Sequence, residues 1–230
     1  MGVTILVPTF NDSQFLIKNL KSCLNQNLEK EIIVIDDCST VPFSHELNRF
    51  ISQNPSIRVI RHEKNSGLSA CRNTGISNCK FDFILPLDAD DWLYPNVLPV
   101  MYDFLNNHPD VDVVYGNLTQ DSAQVSYPVR EPFRKDHFIG KNPLFGSSMY
   151  RKKIWEASPP KYHLDGKYRV LPHAHYEDLG FWAKAFRNGF KFHYIDLLVY
   201  NHTLRPDSML MQLHGKTGHF HELAIEGVFE

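Results

Sequence analysis

Residues 30–40, KEIIVIDDCST, carry four consecutive aliphatic side chains, Ile32 to Ile35, and then end in two adjacent carboxylates, Asp36 and Asp37. A strand with one face in water alternates apolar and polar residues. This one is apolar on both faces, so it belongs inside a parallel sheet covered by helices on either side. Residues 3–10, VTILVPTF, residues 57–65, IRVIRHEKN, and residues 81–91, FDFILPLDADD, are further strand candidates. Between them, residues 11–27, 43–54 and 66–80 space their apolar positions as helices do. Asn11 or Asp12 is the expected N-cap of the first, and a Ser66-Gly67 turn leads into the third. Alternation of strand and helix predicts an α/β fold with a Rossmann-like, mostly parallel central sheet and right-handed crossovers.

Open sheets of this kind bind ligands beyond the carboxyl ends of their strands. Thr9 and Asn11, Asp36 and Asp37, residues 62–65, and Asp88 to Asp91 each follow a predicted strand, which should bring them to one edge. The second half is less regular. Residues 96–109 read as a helix and 110–118 as a strand, and residues 126–148 form a Pro-rich, basic, turn-rich stretch. Residues 177–190, EDLGFWAKAFRNGF, form a helix with an acidic start and a stop at Gly189, and residues 191–202 a last strand. No repeat or composition break separates a second domain. The expectation is one domain over 1–230, with a first half of about 1–100, a second of about 101–213 and a tail at 214–230.

The bulk composition narrows the class of ligand. A formal net charge of -2 over 230 residues supplies no broad field for nucleic acid or an anionic membrane, so an anionic ligand must be held locally. No apolar run reaches the ~18 residues of a membrane span, and the opening MGVTILVPTFND lacks the basic start of a signal peptide. Cys23, Cys38, Cys71 and Cys79 form no Cys-x-x-Cys pair and read as reduced thiols. A cytoplasmic protein, at most peripherally associated with a membrane, is expected. His214, His219 and His221 read as a solvated tail, with a metal site as the alternative.

The acids are the chemical signal. Two carboxylates spaced Asp88-x-Asp90 in a turn can offer oxygens to one hard divalent cation, Mg or Mn when substrate phosphates complete the shell. The same residues could equally cap the next helix. Asp37 could accept from the imide N–H of a nucleobase or from a ribose hydroxyl, or could cap a turn like Asp36.

Five stretches in fixed order, ILVPTFND, IIVIDDCST, NSGLSACRNTGI, PLDADDWLYP and YEDLGFWAKAFRNGF, resemble the motif series of family 2 glycosyltransferases, inverting enzymes of the GT-A fold, over roughly residues 3–209. The resemblance implies that Pro8, Thr9, Asn11 and Asp37 hold the nucleotide base, that Asn65 and Arg72 lie by the base and phosphates, and that Asp88 and Ala89 sit by the ribose or metal. It further implies Asp90 as metal ligand, Asp178 as general base and Glu177 as its companion. Asp91 holds the turn, and His202 is either a metal ligand or a satisfied histidine. Arg72 has a structural ion pair as its alternative role, and Asp178 and Glu177 that of dipole partners of their helix. Ser147, His173 and His175 are candidate acceptor contacts.

The implied donor is a nucleoside diphosphate sugar of UDP, dTDP or GDP type, and the implied acceptor a hydroxyl of a glycan or lipid-linked glycan, with Mn2+ or Mg2+ assisting. A sugar-phosphate nucleotidyltransferase would carry a Gly-rich basic loop after the first strand, which VPTFNDSQ lacks. A non-catalytic nucleotide-sugar-binding module is the other alternative, and the presence of both DAD and ED argues against it.

Overall fold

The computed structural model describes residues 2–126, 128–130, 132–138, 143–157, 169–171, 174–175 and 177–206, with the backbone alone at 169–171, 174–175 and 177. The expected alternation is present. Strand β1 (Val3–Thr9) leads to helix α1 (Ser13–Leu24), β2 (Lys30–Asp36) to α2 (His45–Ser52), and β3 (Ile57–Arg61) to α3 (Leu68–Ser77), before β4 (Phe83–Pro86). These four strands pair in parallel in the order β3-β2-β1-β4.

Each interior strand feeds two cores, because consecutive side chains point to opposite faces. Ile5, Val7, Ile32 and Val34 pack with Leu16 and Leu20 of α1 and Leu47 of α2. Leu6, Ile33 and Ile35 pack on the other face with Cys71 and Ile76 of α3. The doubly apolar run at Ile32–Ile35 is therefore a strand sandwiched between helix layers.

Beyond β4 the chain forms β5 (Trp92–Leu93), α4 (Val97–Asn107), β6 (Val113–Gln120), β7 (Gln124–Ser126), β8 (Met149–Arg151), the short α5 (Lys153–Glu156), a hairpin of β9 (Arg169–Leu171) and β10 (Ala174–His175), α6 (Glu177–Arg187) and β11 (Phe192–His202). The sheet continues β4-β8-β6-β11-β5. Here the pattern departs from a uniformly parallel sheet, since β8 is antiparallel to both β4 and β6, and β5 is antiparallel to β11. Running backwards, β8 starts beside the end of β4, so the turn before it lies at the ligand edge.

Strand β11 carries the late residues to that edge, and it does so through an irregularity. Tyr194 pairs with Tyr115 and Leu198 with Asn117, so residues 195–197 bulge over Gly116. A Cβ on Gly116 would stand 2.5 Å from the Leu197 carbonyl oxygen and 3.1 Å from that of Ile195. The bulge needs a residue without a side chain opposite it. Gly116→Ala is accordingly expected to lower unfolding stability by about 1–3 kcal/mol, read from a urea transition. An unchanged midpoint would mean that the bulge is not held by this contact.

Candidate functional site

The edge expected to collect the acids does collect them, and hydrogen bonds fix which face outward. Asp37 faces inward: its carboxylate accepts from Ser66 N at 2.9 Å, from Gly67 N at 2.7 Å and from His62 Nδ1 at 2.7 Å. Gly67, at φ 86°, can adopt this turn because it has no Cβ. Three of the roughly four acceptor positions of a carboxylate are thus occupied. Asp36 accepts from Ser39 N at 2.9 Å and pairs with Arg61.

Asp37, His62 and Cys71 come close enough to suggest a metal site. The ring of His62 is committed on both sides, Nδ1 to Asp37 and Nε2 to Thr74 Oγ1 at 2.9 Å. Burial, followed by the charge of Asp37, raises the Cys71 thiol far above its ordinary range, so no thiolate is on offer. This cluster closes the loop between β3 and α3.

The first loop is built similarly. Asn11, in a left-handed conformation at φ 59°, accepts from Thr40 N at 2.8 Å and Val41 N at 3.2 Å, and donates its own N–H to Ser39 Oγ. It ties the loop after β1 to the loop after β2. Pro8 and Thr9 are buried, and the Thr9 hydroxyl has no hydrogen-bond partner among the described residues. Asn65 is exposed, and so is Phe10, an aromatic at the same edge.

The turn at residues 88–91 is held from behind by Asn19 of α1, whose amide donates to the carbonyls of Asp88 at 2.8 Å and Asp91 at 2.9 Å. Asp91, 2% exposed, accepts from Thr203 N at 2.9 Å and lies 3.4 Å from His202 Nδ1. Burial pushes the Asp91 carboxyl up to about 7 against the lowering effect of His202. Burial works against protonation of His202, yet its bond to Asp91 and the charges of Asp91, Asp88 and Asp90 leave its affinity for a proton above the ordinary.

Asp88 and Asp90 face the other way. Asp88 has a half-exposed side chain, and its Oδ1 lies 3.1 Å from Nη2 of the buried Arg72. Ala89 between them is buried. The Asp90 carboxyl is raised by burial and then by the charge of Asp88, and lowered by Arg205. Arg205 Nη1 sits 3.1 Å from Asp90 Oδ2 and 2.7 Å from Asp12 Oδ1, with its guanidinium 4.6 Å from the Phe15 ring centre. Asp12 does occupy the N-cap position of α1, but its side chain makes no capping bond.

This donor set fits a hard divalent cation. Two carboxylates repel each other at one turn, the oxygens suit Mg or Mn, and a guanidinium already stands on each of them. A ligating histidine commonly gives its second nitrogen to a carboxylate, the relation in which His202 stands to Asp91.

The third part of the site comes from the irregular half. Ser147 and Ser148 are buried, and the Ser148 hydroxyl donates to the Phe145 carbonyl at 2.7 Å. A Cβ placed on Gly146 would lie 3.7 Å from Asp178 Oδ2 and 3.9 Å from Arg72 Nη2. Asp178 and Arg72 therefore approach the same side of Gly146, which brings Asp178 to the Arg72–Asp88 pair. The buried Tyr200 senses the same convergence: burial raises its hydroxyl, followed by the charges of Asp91, Asp88 and Asp178, with Arg72 opposing.

Asp37, Arg72, Asp88, Asp90, Asp178 and His202 are thus gathered at one edge, along with Thr9. His173 and the tail from residue 207 lie outside the described residues, as do the side chains of His175 and Glu177. Sequence reasoning did not nominate Asn19, Arg205, Gly146 or Tyr200. Asn19 gave one signal, a polar residue on the apolar face of α1.

The profile described as glycosyl transferase family 2 matches residues 4–190, and the chain belongs to that family. Its fold is the GT-A fold of S. aureus TarS, solved with UDP-GlcNAc (TM-score 0.71, 21% identity, 91% of this chain and 60% of that one). It is shared by the mannosyltransferase PcManGT of Pyrobaculum calidifontis, solved with GDP-Man and Mn2+ (TM-score 0.74, 15% identity, 99% and 64%). Glycosyltransferase GlyG of Streptococcus pneumoniae serotype 4 (strain ATCC BAA-334 / TIGR4) is 31% identical over 116 residues, 50% of this chain and 38% of its own length. The chain thus spans less than half of that relative. No described helix is long and apolar enough to cross a membrane.

Asn19→Leu removes both donations to the turn: the buried Asp91 carbonyl loses the amide, while the Asp88 carbonyl keeps its bond from Asp91 N at 3.1 Å. The expected cost of the substitution is about 2 kcal/mol in a denaturant titration. A loss below ~0.5 kcal/mol would show that Asp91 alone suffices to hold the turn.

Proposed function

We propose that this chain is a metal-assisted inverting glycosyltransferase domain that moves a sugar from a nucleoside diphosphate sugar to a hydroxyl of a glycan or lipid-linked glycan. The observation that carries the reading is the convergence of Asp178 with the Arg72–Asp88 pair beside Gly146. Inversion requires a base on the acceptor side and the leaving group opposite. Asp178 takes the proton of the acceptor hydroxyl as its oxygen bonds to the anomeric carbon, and the bond from that carbon to the diphosphate oxygen breaks on the far side.

Thr9, Asn11, Asn65 and Asp37 surround the base and ribose, with Pro8 shaping the strand end. Asp37 acts chiefly by holding the Ser66–Gly67 backbone. Arg72 offers positive charge on the diphosphate side, held by Asp88 beside Ala89. Asp90, with His202, would hold Mn2+ or Mg2+, which supplies charge neutralisation to the departing diphosphate. Ser147, His173 and His175 face the acceptor in this reading, and Glu177 supports Asp178. The nucleotide half, about 1–100, and the acceptor half, about 101–213, act as one domain in the cytoplasm. The UDP-GlcNAc and GDP-Man complexes of the two structural neighbours support a nucleotide-sugar donor without fixing its base or sugar.

Asp178→Asn should lower transfer by roughly 100- to 10,000-fold while leaving nucleotide affinity unchanged, measured by product formation and calorimetry. Transfer at the parent rate would remove Asp178 from the base role. A thermal-shift panel of UDP, dTDP, GDP and CMP sugars, each with Mn2+ or with EDTA, addresses the donor and the metal together. One base class should raise the midpoint, more with Mn2+ than with EDTA, and Asp90→Ala should abolish the difference. A Mn2+-independent shift would contradict the metal assignment.

A further inference from the structure

Asp12 stands where a helix cap is expected and does not cap. It occupies the N-cap position of α1, a place that favours aspartate, yet its side chain makes no capping bond. Its Oδ1 instead accepts from Arg205 Nη1 at 2.7 Å, a residue 193 positions later. The same Nη1 lies 3.1 Å from Asp90 Oδ2, and the guanidinium lies 4.6 Å from the ring centre of Phe15 in the first turn of α1. Two carboxylates and an aromatic face thus converge on one cation.

A guanidinium is charged at every ordinary pH, so protonation cannot switch this contact off. It presents to Asp90 the kind of charge that a divalent ion would present. Mg2+ takes carboxylate oxygens at about 2.0–2.1 Å, and a positive charge already within hydrogen-bond reach of the same group repels it, the more so in a partly buried site. The backbone leading to Arg205 is fixed up to the residue before it. Thr203 N donates to Asp91 Oδ1 at 2.9 Å, Thr203 Oγ1 to the Asp90 carbonyl at 2.6 Å, and Leu204 N to Asp121 Oδ1 at 3.0 Å. The long side chain of Arg205 is therefore the part that can move while its anchor stays.

We propose that Arg205 is a built-in counter-cation of Asp90, and that its side chain must yield Asp90 before the site takes a divalent cation. The inference rests on the metal-assisted reading above, in which Asp90 is a ligand. Arg205 thereby sets the cation affinity of the site and neutralises Asp90 until the ion arrives. Asp12 and Phe15 keep the guanidinium in that position, which gives the carboxylate of Asp12 a use other than capping α1. The end of β11 is in this way coupled to cation binding through one side chain.

The test titrates Mn2+ alone, without nucleotide, against wild type and Arg205→Gln, with the free ion followed by its electron paramagnetic resonance signal. Thermal midpoints confirm folding. Affinity for Mn2+ should rise by roughly tenfold or more in Arg205→Gln. A second measurement needs no variant: phenylglyoxal labelling of wild type, read at Arg205 by peptide mass spectrometry. The Arg205 side chain is 15% exposed, so labelling should be slow without the ion and several-fold faster with Mn2+. Equal affinity in the two proteins overturns the proposal, and so does weaker binding by Arg205→Gln, the result expected of a guanidinium that supports the ligand. Labelling that Mn2+ slows or leaves unchanged overturns it as well. If the glutamine variant does not fold, the labelling decides. If neither protein binds Mn2+, this inference falls, and the metal assignment is decided separately by the nucleotide-sugar panel above.

Discussion

A single buried carboxylate joins the two halves of this chain at the place where chemistry would occur. Asp91 ends the turn after β4, and its oxygens meet Thr203 N and His202 Nδ1, residues that follow more than a hundred positions later. Burying a charge is costly unless it is hydrogen-bonded and paired, and the rise of this carboxyl to about 7 is the trace of that cost. With Asn19 donating to the backbone of the same turn, Asp88 and Asp90 are left on the outward side. Their exposure follows from the inward commitment of their neighbour. The Asp91 bonds act together with the β5–β11 pairing and the bond from Thr203 Oγ1 to the Asp90 carbonyl at 2.6 Å in holding β11 against the turn.

The edge is also an exercise in local charge balance. A chain of net charge -2 gathers Asp12, Asp88, Asp90 and Asp91 close together and must supply cations from its own side chains. Arg72 comes from α3, and His202 and Arg205 from the end of β11. Arg205 spans Asp12 and Asp90, so the two ends of the described chain meet through one guanidinium. Such a residue does for the carboxylates what a divalent cation would do, and at interatomic distances a bridging charge outweighs a distant one.

Much of this was legible before any coordinates. Apolar runs such as Ile32–Ile35, uninterrupted by polar alternation, specify strands buried on both faces, and the acids that stop them fall at the ligand edge by topology. The antiparallel insertion was not legible, because β8 is three residues long and β5 two, too short for a period to register. Arg205 was illegible for a different reason: its partners lie 193 and 115 positions away, and a basic residue in a loop carries no mark of its partner. Gly146 is one of two glycines in the Pro-rich stretch at 126–148 and carries no mark of its neighbours there. Its meaning depends on the atoms its missing Cβ would meet.

The two acid pairs that end β2 and β4 read alike in sequence yet divide their work. After β2, both carboxylates turn toward the protein: Asp36 to Arg61 and Ser39, Asp37 to His62, Ser66 and Gly67. After β4 the same chemistry is split, with Asp91 inward and Asp88 and Asp90 outward. Available backbone donors explain the difference. The loop into α3 presents two N–H groups and a histidine to Asp37, enough to consume its lone pairs. At the second turn the backbone donor Thr203 N goes to Asp91, and Asp88 and Asp90 meet the side chains of Arg72 and Arg205 instead. A pair of carboxylates at a strand end thus turns inward where backbone N–H groups are presented to it, and otherwise is left to side-chain cations.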